Sequence, residues 1–246
     1  IADYTWSPDS QWVAWTRPEE RQFPRVYLYS VAHRERRAVT DGWFASTEPA
    51  FSSDGKYLFF VSNRSFAPRY SQTEWNHAYF DMARIFLVTL APDTPSPLAP
   101  KSDEVKTGAG PDTAGRAAGS EPKVSSAPGE AKPESGAAAS RSPAAVRVDY
   151  DGLSDRIAVL PIAASSYRDL ASAGDKLFYT RQGLKDERRR LLMFDLGKEK
   201  ETDLGEIQEY RLAAHRQKML VRMDNAYAIV DLPAARIEVK ERLKLG

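Results

Sequence analysis

Short apolar segments rich in Val, Tyr, Phe and Trp recur in units of four, roughly every 40 to 45 residues, and together predict an all-β fold of the β-propeller type. No ordered stretch keeps a 3.6-residue apolar period for about 12 residues, so long helices are not expected. One low-complexity block interrupts this pattern without sharing it. The predicted organisation is therefore residues 1–100 as the first two blades, 101–145 as an insert, and 146–246 as the rest of the second blade plus two more.

The first unit covers about residues 2–42. Its opening hairpin reads Tyr4-Thr5-Trp6, a turn Ser7-Pro8-Asp9-Ser10, then Trp12-Val13-Ala14-Trp15. Pro presets φ at the second turn position, and the Asp carboxylate accepts from nearby turn amides. A third strand is expected at Val26-Tyr27-Leu28-Tyr29-Ser30-Val31 and a more polar, outermost fourth at Arg37-Ala38-Val39-Thr40. The second unit, 43–162, repeats the hairpin as Pro49-Ala50-Phe51, Ser52-Ser53-Asp54-Gly55 and Tyr57-Leu58-Phe59-Phe60. Its third strand is Ile85-Phe86-Leu87-Val88-Thr89-Leu90 and its fourth Arg156-Ile157-Ala158-Val159. Residues 71–84, with Trp75, His77, Tyr79 and Phe80, form either one helix or an ordered loop between strands.

Units three and four, about 163–206 and 207–246, are degenerate copies. Their hairpins begin at Tyr167 and Tyr210, and their third strands end in Phe194-Asp195-Leu196 and Val230-Asp231-Leu232. Fourth strands are expected at Glu201-Thr202-Asp203-Leu204 and Arg236-Ile237-Glu238-Val239. Trp6, Trp12, Trp15, Trp43 and Phe51 are expected to fill the wedges between twisted blades.

The insert is compositionally separate. Of its 45 residues, 29 are Ala, Gly, Ser or Pro, and none is aromatic, Leu or Ile. Such a stretch cannot bury enough apolar surface to offset its ordering entropy, so it is expected to be disordered. It is cheap to carry, because loop-closure entropy grows only logarithmically with length.

Charge and composition exclude several classes. Thirty-five basic against 34 acidic residues give a net charge of +1, without the basic field that a dedicated nucleic-acid binder needs. No apolar run approaches the roughly 18 residues of a membrane span. With no cysteine there is no thiolate nucleophile and no cysteine-built zinc site. The chain opens at Ile1 inside a strand pattern, as a piece of a longer protein would.

Catalytic patterns are absent from the sequence. No Gly-x-Ser-x-Gly, paired-His spacing, Walker loop or dinucleotide fingerprint occurs, so no catalytic, cofactor or metal residue is assigned. His33 and His215 read as exposed turn residues. His77, in an aromatic cluster, is a candidate peptide contact. Asp149 and Asp151 share one face if extended, which suits a cation site or, more simply, a turn before Gly152. Arg188, Arg189 and Arg190 lie on an exposed hairpin, where guanidinium groups could meet peptide carboxylates.

One combination is more specific than the hairpin turn. Phe59-Phe60-Val61-Ser62-Asn63-Arg64 is followed by Tyr79-Phe80-Asp81-Met82-Ala83-Arg84 and, after the insert, by Val146-Arg147-Val148-Asp149-Tyr150-Asp151-Gly152 and Leu160-Pro161-Ile162. It resembles the C-terminal part of the second propeller of tricorn-type serine proteases, bacterial homologues in particular. The tail from Glu238 to Leu245 looks like the junction toward the protease core. The resemblance implies a parent that degrades oligopeptides and a propeller that guides or gates them without catalysing. It also implies an association with the parent's own protease core, a homo-oligomer, and a cytoplasmic location, with a periplasmic or secreted one as alternative. Two other readings stay open: a Tol-like protein-binding propeller, and the lid propeller of a prolyl-oligopeptidase-type hydrolase.

Overall fold

The computed structural model describes residues 2–65, 69–70, 77–78, 80–99, 145–239 and 242–243. The first sheet is β1 (Ala2–Trp6), β2 (Trp12–Arg17), β3 (Arg25–Ser30) and β4 (Glu35–Ala38), side by side in chain order. The second begins with β5 (Ser46–Phe51) and β6 (Tyr57–Ser62). Two short strands, β7 (Arg69–Tyr70) and β8 (His77–Ala78), pair with each other in the following loop. The sheet then resumes with β9 (Arg84–Thr89) and closes with β10 (Ile157–Val159), from beyond the insert. The third sheet is β11 (Tyr167–Ala173), β12 (Lys176–Arg181), β13 (Arg190–Asp195) and β14 (Lys200–Glu206). The fourth holds β15 (Glu209–Leu212), β16 (Lys218–Met223) and β17 (Ala226–Asp231). Every pairing is antiparallel, as short hairpin connections require.

The repeated turns have one hydrogen-bond design. In the first, the Ser7 hydroxyl donates to Asp9 Oδ1 at 2.6 Å and accepts from Trp12 N at 2.9 Å. In the second, Ser52 does the same with Asp54 at 2.6 Å and Tyr57 N at 2.9 Å. Ser10 (φ 59°) and Gly55 (φ 72°) hold the left-handed position of these turns, and Arg216 (φ 52°) holds it in the fourth. Gly pays no steric cost there; Ser and Arg do.

Cores lie between sheets. Ala14, Val26 and Leu28 meet Phe51, Leu58, Phe60 and Val88 across the first interface. Phe59, Val61, Ile85 and Leu87 point the other way, against Leu177, Tyr179, Leu192 and Phe194. Phe178, Leu191 and Met193 then meet Met219, Val221 and Ala228. The second and third sheets thus bury both faces, which is why β6, β9 and β13 read as unbroken apolar runs rather than alternating ones.

Two expectations are corrected, and for residues 71–84 one of two alternatives holds. Residues 236–239 do not form the fourth strand of the last sheet, which is three-stranded among the described residues. Pro233 cannot donate to a ladder, and Ile237 is buried with its N–H on Leu204 O at 2.8 Å, against the third sheet. Residues 71–84 follow the loop alternative at the described positions: 77–78 are extended and Arg84 opens β9. Trp6 and Trp43, expected in the blade wedges, are 52% and 78% exposed, whereas Trp15 and Phe51 are buried. Trp6 lies on the face of β1 turned away from the second sheet, because its cross-strand partner is Val13 and not Ala14. The predicted insert lies outside the described residues, apart from Ala145.

The segments flanking that insert are anchored. Val146 N donates to Asp9 Oδ2 at 2.7 Å, and Trp12 Nε1 donates to Val146 O at 3.2 Å. Val146 also packs over Gly55, where a side chain would collide with it. On the other flank, Asp93 pairs with Arg147 at 2.8 Å and Tyr57 donates to Pro95 O at 3.2 Å. Replacing residues 101–144 by a flexible Gly/Ser linker of about half the length is therefore expected to change stability by less than about 1 kcal/mol, read by urea denaturation. A loss of several kcal/mol would show that the insert itself packs.

Asp9 ties the first turn to Val146. Burial raises its pKa, but hydrogen bonds from Ser7, Val146 N and Gln11 N outweigh this and hold it below the ordinary value. A depressed carboxylate stabilises above the unfolded-state pKa, and that stability is lost as pH falls through the folded one. Asp9→Ala should cost about 2 kcal/mol at pH 7. The difference from the parent chain should shrink below about pH 4, in melts run across that range.

Candidate functional site

The first strand of each sheet faces a common space. Residues of β1, β5, β11 and β15 line one cavity of about 470 Å³. Three of these strands carry the same irregularity. Their pairing slips between Ala2 and Thr5, between Thr47 and Ala50, and between Arg168 and Ala171. Each bulge holds an acidic residue in the left-handed region: Asp3 (φ 50°), Glu48 (φ 54°) and Asp169 (φ 55°). A bulge re-aims a side chain and is common beside functional sites. Here it brings three carboxylates to one end of the cavity wall.

These acids are held in place. Asp169 N donates to Glu48 Oε2 at 3.0 Å, and Thr180 Oγ1 donates to Asp169 Oδ2 at 2.8 Å. The Tyr210 hydroxyl donates to Asp169 O. Burial pushes the Glu48 pKa up; the Asp169 amide opposes this, and the charges of Asp3 and Asp169 add to it. At the other end of the same cavity, Arg216 donates to Ser172 O from the fourth sheet's first turn.

Of the residues singled out in the sequence, Arg189 reaches this site. It lies 3.7 Å from Asp169 and donates to Gln208 O at 3.4 Å. Arg188 pairs with Glu206 at 3.3 Å and Arg190 with Asp203 at 2.7 Å, on the hairpin between β12 and β13. His77 sits in β8, in the corresponding loop of the second sheet; its side chain lies outside the described residues. His33 and His215 are exposed turn residues. Asp149 caps the amide of Asp151 at 2.9 Å, and Arg156 binds both their carbonyls, so this pair builds a turn before Gly152. Among the described residues no three His, Asp or Glu side chains are grouped to hold a metal, and no helix is long and apolar enough to cross a membrane.

Asp3, Glu48, Asp169 and Arg216 were not singled out in the sequence. An available signal was the aligned acid just before each hairpin strand: Asp3 before Tyr4, Glu48 before Pro49, Asp169 before Leu170. Strict two-residue alternation obscures it, because a bulge breaks the alternation.

Four sheets whose first strands line one cavity define a β-propeller segment. Residues 1–233 match the family described as the tricorn protease second beta propeller domain, and the chain belongs to that family. It is 28% identical over 238 residues to tricorn protease homolog 1 of Streptomyces coelicolor, covering 91% of this chain and 20% of that protein. It is 28% identical over 241 residues to putative tricorn protease homolog 2 of the same organism, covering 90% of this chain and 19% of that protein. The crystal structure of the tricorn protease superposes with a TM-score of 0.67 at 19% identity, over 94% of this chain and 21% of that one. The chain thus spans about a fifth of the length of these relatives.

Glu48 supplies a pH test of the site. A carboxylate with a raised folded pKa weakens the fold as it ionises, so its cost is absent below the unfolded-state pKa and grows as pH rises through the folded one. Glu48→Gln keeps the acceptor for Asp169 N and removes the charge. It should melt about 1–3 °C higher than the parent chain at pH 7 and no higher near pH 4. Equal melts at both pH values would mean that Glu48 is fully solvated.

Proposed function

We propose that this chain is a non-catalytic guide for peptides in a tricorn-type serine protease. It would lead oligopeptides along its axial cavity toward a protease core in the same polypeptide, within a homo-oligomer. The observation that carries this reading is the convergence of four first strands on one polar cavity, lined by backbone and by charged side chains of both signs. A wall of this kind offers hydrogen bonds to any extended peptide without demanding one sequence. The hairpin with Arg188, Arg189 and Arg190, and the β7–β8 loop with His77, belong to corresponding positions of successive sheets. In this reading they form the rim that first meets the peptide. Membership in a protease family supports the same direction.

The test is to narrow the cavity in the full-length protein. Thr5 lines it and is half-buried. Thr5→Trp should lower kcat/KM for an oligopeptide of eight or more residues by about tenfold, or about 1.4 kcal/mol. Thr5→Ala should leave it unchanged, and a small chromogenic amide should be hydrolysed equally by all three proteins. Equal loss on both substrates would place the defect in the protease core, and no loss on either would overturn the guiding role.

A further inference from the structure

We infer that Arg216 is a carboxylate-binding residue of the axial cavity, positioned to hold the C-terminal carboxylate of a peptide lying along the axis. The inference rests on the guiding role proposed above and assigns the end of the peptide that the cavity recognises.

Arg216 lines the cavity without the carboxylate partner that several neighbouring arginines have. Arg188, Arg190 and Arg211 each pair with a carboxylate on their own sheet. Arg216 has no carboxylate partner among the described residues; its one hydrogen bond goes from Nη1 to the Ser172 carbonyl. A guanidinium offers five N–H donors in a planar fork, so that single bond leaves a free edge suited to two carboxylate oxygens. The side chain is half-buried in the cavity wall, and burial alone pulls its pKa down. A partly dehydrated cation without a counter-ion gains more from an arriving anion than a solvated one does.

Placement gives the direction. Ser172 lies three residues after Asp169 on β11, further along the strand by somewhat less than the ~10 Å of three regular residues, because of the bulge between Arg168 and Ala171. The acids thus sit toward one end of the cavity and Arg216 toward the other. A short extended peptide has the same polarity, ammonium at one end and carboxylate at the other. The turn position itself adds a constraint. Arg216 occupies the left-handed site that Gly55 fills in the second sheet, although a side chain is strained there.

A structural role is the competing account: Arg216 could simply strap the fourth sheet's turn to Ser172. The two are separable by calorimetric titration of the 246-residue chain with trialanine and with trialanine amide. The acid should bind about ten- to a hundredfold more tightly than the amide, the range expected for a charge-assisted hydrogen-bonded pair. Arg216→Gln should bring that ratio close to one. Arg216→Gly, which relaxes the turn backbone, should do the same without lowering the melting temperature by more than a few degrees. If both peptides bind and neither substitution changes their ratio, the assignment of Arg216 fails while the guiding role stands. If the substitutions lower stability only, Arg216 is a strap and the assignment fails likewise. If neither peptide binds, both the assignment and the guiding role fail.

Discussion

A twisted sheet buried on both faces has no stable existence alone, and this constraint organises the chain. β6 and β9 send Leu58, Phe60, Phe86 and Val88 into one interface and Phe59, Val61, Ile85 and Leu87 into the next. Each residue step along a strand therefore serves a different neighbour. A register slip of one residue would exchange the two sets, placing the large rings of Phe59 and Phe60 in each other's sites. The Ser–Asp turns guard against this: the Ser7 and Ser52 hydroxyls bind the amides that start the returning strands, so each turn holds its hairpin's register locally. Packing then fixes the angle between sheets, and that angle brings the first strands to one axis.

The axial cavity follows from the same geometry with one departure. Regular first strands would present alternate side chains to the two flanking sheets. The three bulges replace one step of this alternation with a left-handed residue, and in each case that residue is acidic. Left-handed backbone costs an ordinary residue about 1 kcal/mol or more. At Glu48 and Asp169 these costs are offset by what surrounds them: the Asp169 amide on Glu48, Thr180 on Asp169, and the Tyr210 hydroxyl on the Asp169 carbonyl. The strain is held by neighbouring sheets, so the site exists only once those sheets have docked.

The repeat was legible because each unit restates strand, Ser–Asp turn and strand in the same order. Residues 156–159 are legible as the second sheet's last strand despite the long separation from β9, because they repeat the polar fourth segment of the other units, and 157–159 do pair with β9. The last sheet misled for a physical reason. Residues 236–239 have the apolar–polar pattern of an edge strand, yet Pro233 interrupts the approach and Ile237 finds burial against Leu204 instead. Trp6 and Trp43 misled because aromatic character reports a preference for burial, while position on the strand decides which face the ring meets. The axial acids were hidden by their bulges, and Arg216 by a turn in which Arg replaces the expected Gly. Side-chain pattern shows where a regular strand runs; it is silent where the backbone leaves the regular path.

Charge pairing completes the reasoning. The chain is almost neutral, and several of its surface arginines are matched locally, as Arg188, Arg190 and Arg211 are by Glu206, Asp203 and Glu209. Such solvent-exposed pairs add little stability, but they cancel the field that each guanidinium would project. The groups left with incomplete compensation then dominate the local potential. Along the cavity these are the bulge acids, of which Asp169 has Arg189 at 3.7 Å and Glu48 feels the charge of Arg168, and Arg216 beyond them. A nearly neutral propeller segment can thus carry charges of both signs along one cavity wall, with the bulge acids toward one end and Arg216 toward the other. Under the guiding role proposed above, that division serves zwitterionic peptides better than a uniformly charged wall, which would attract one end of a peptide and repel the other throughout its length.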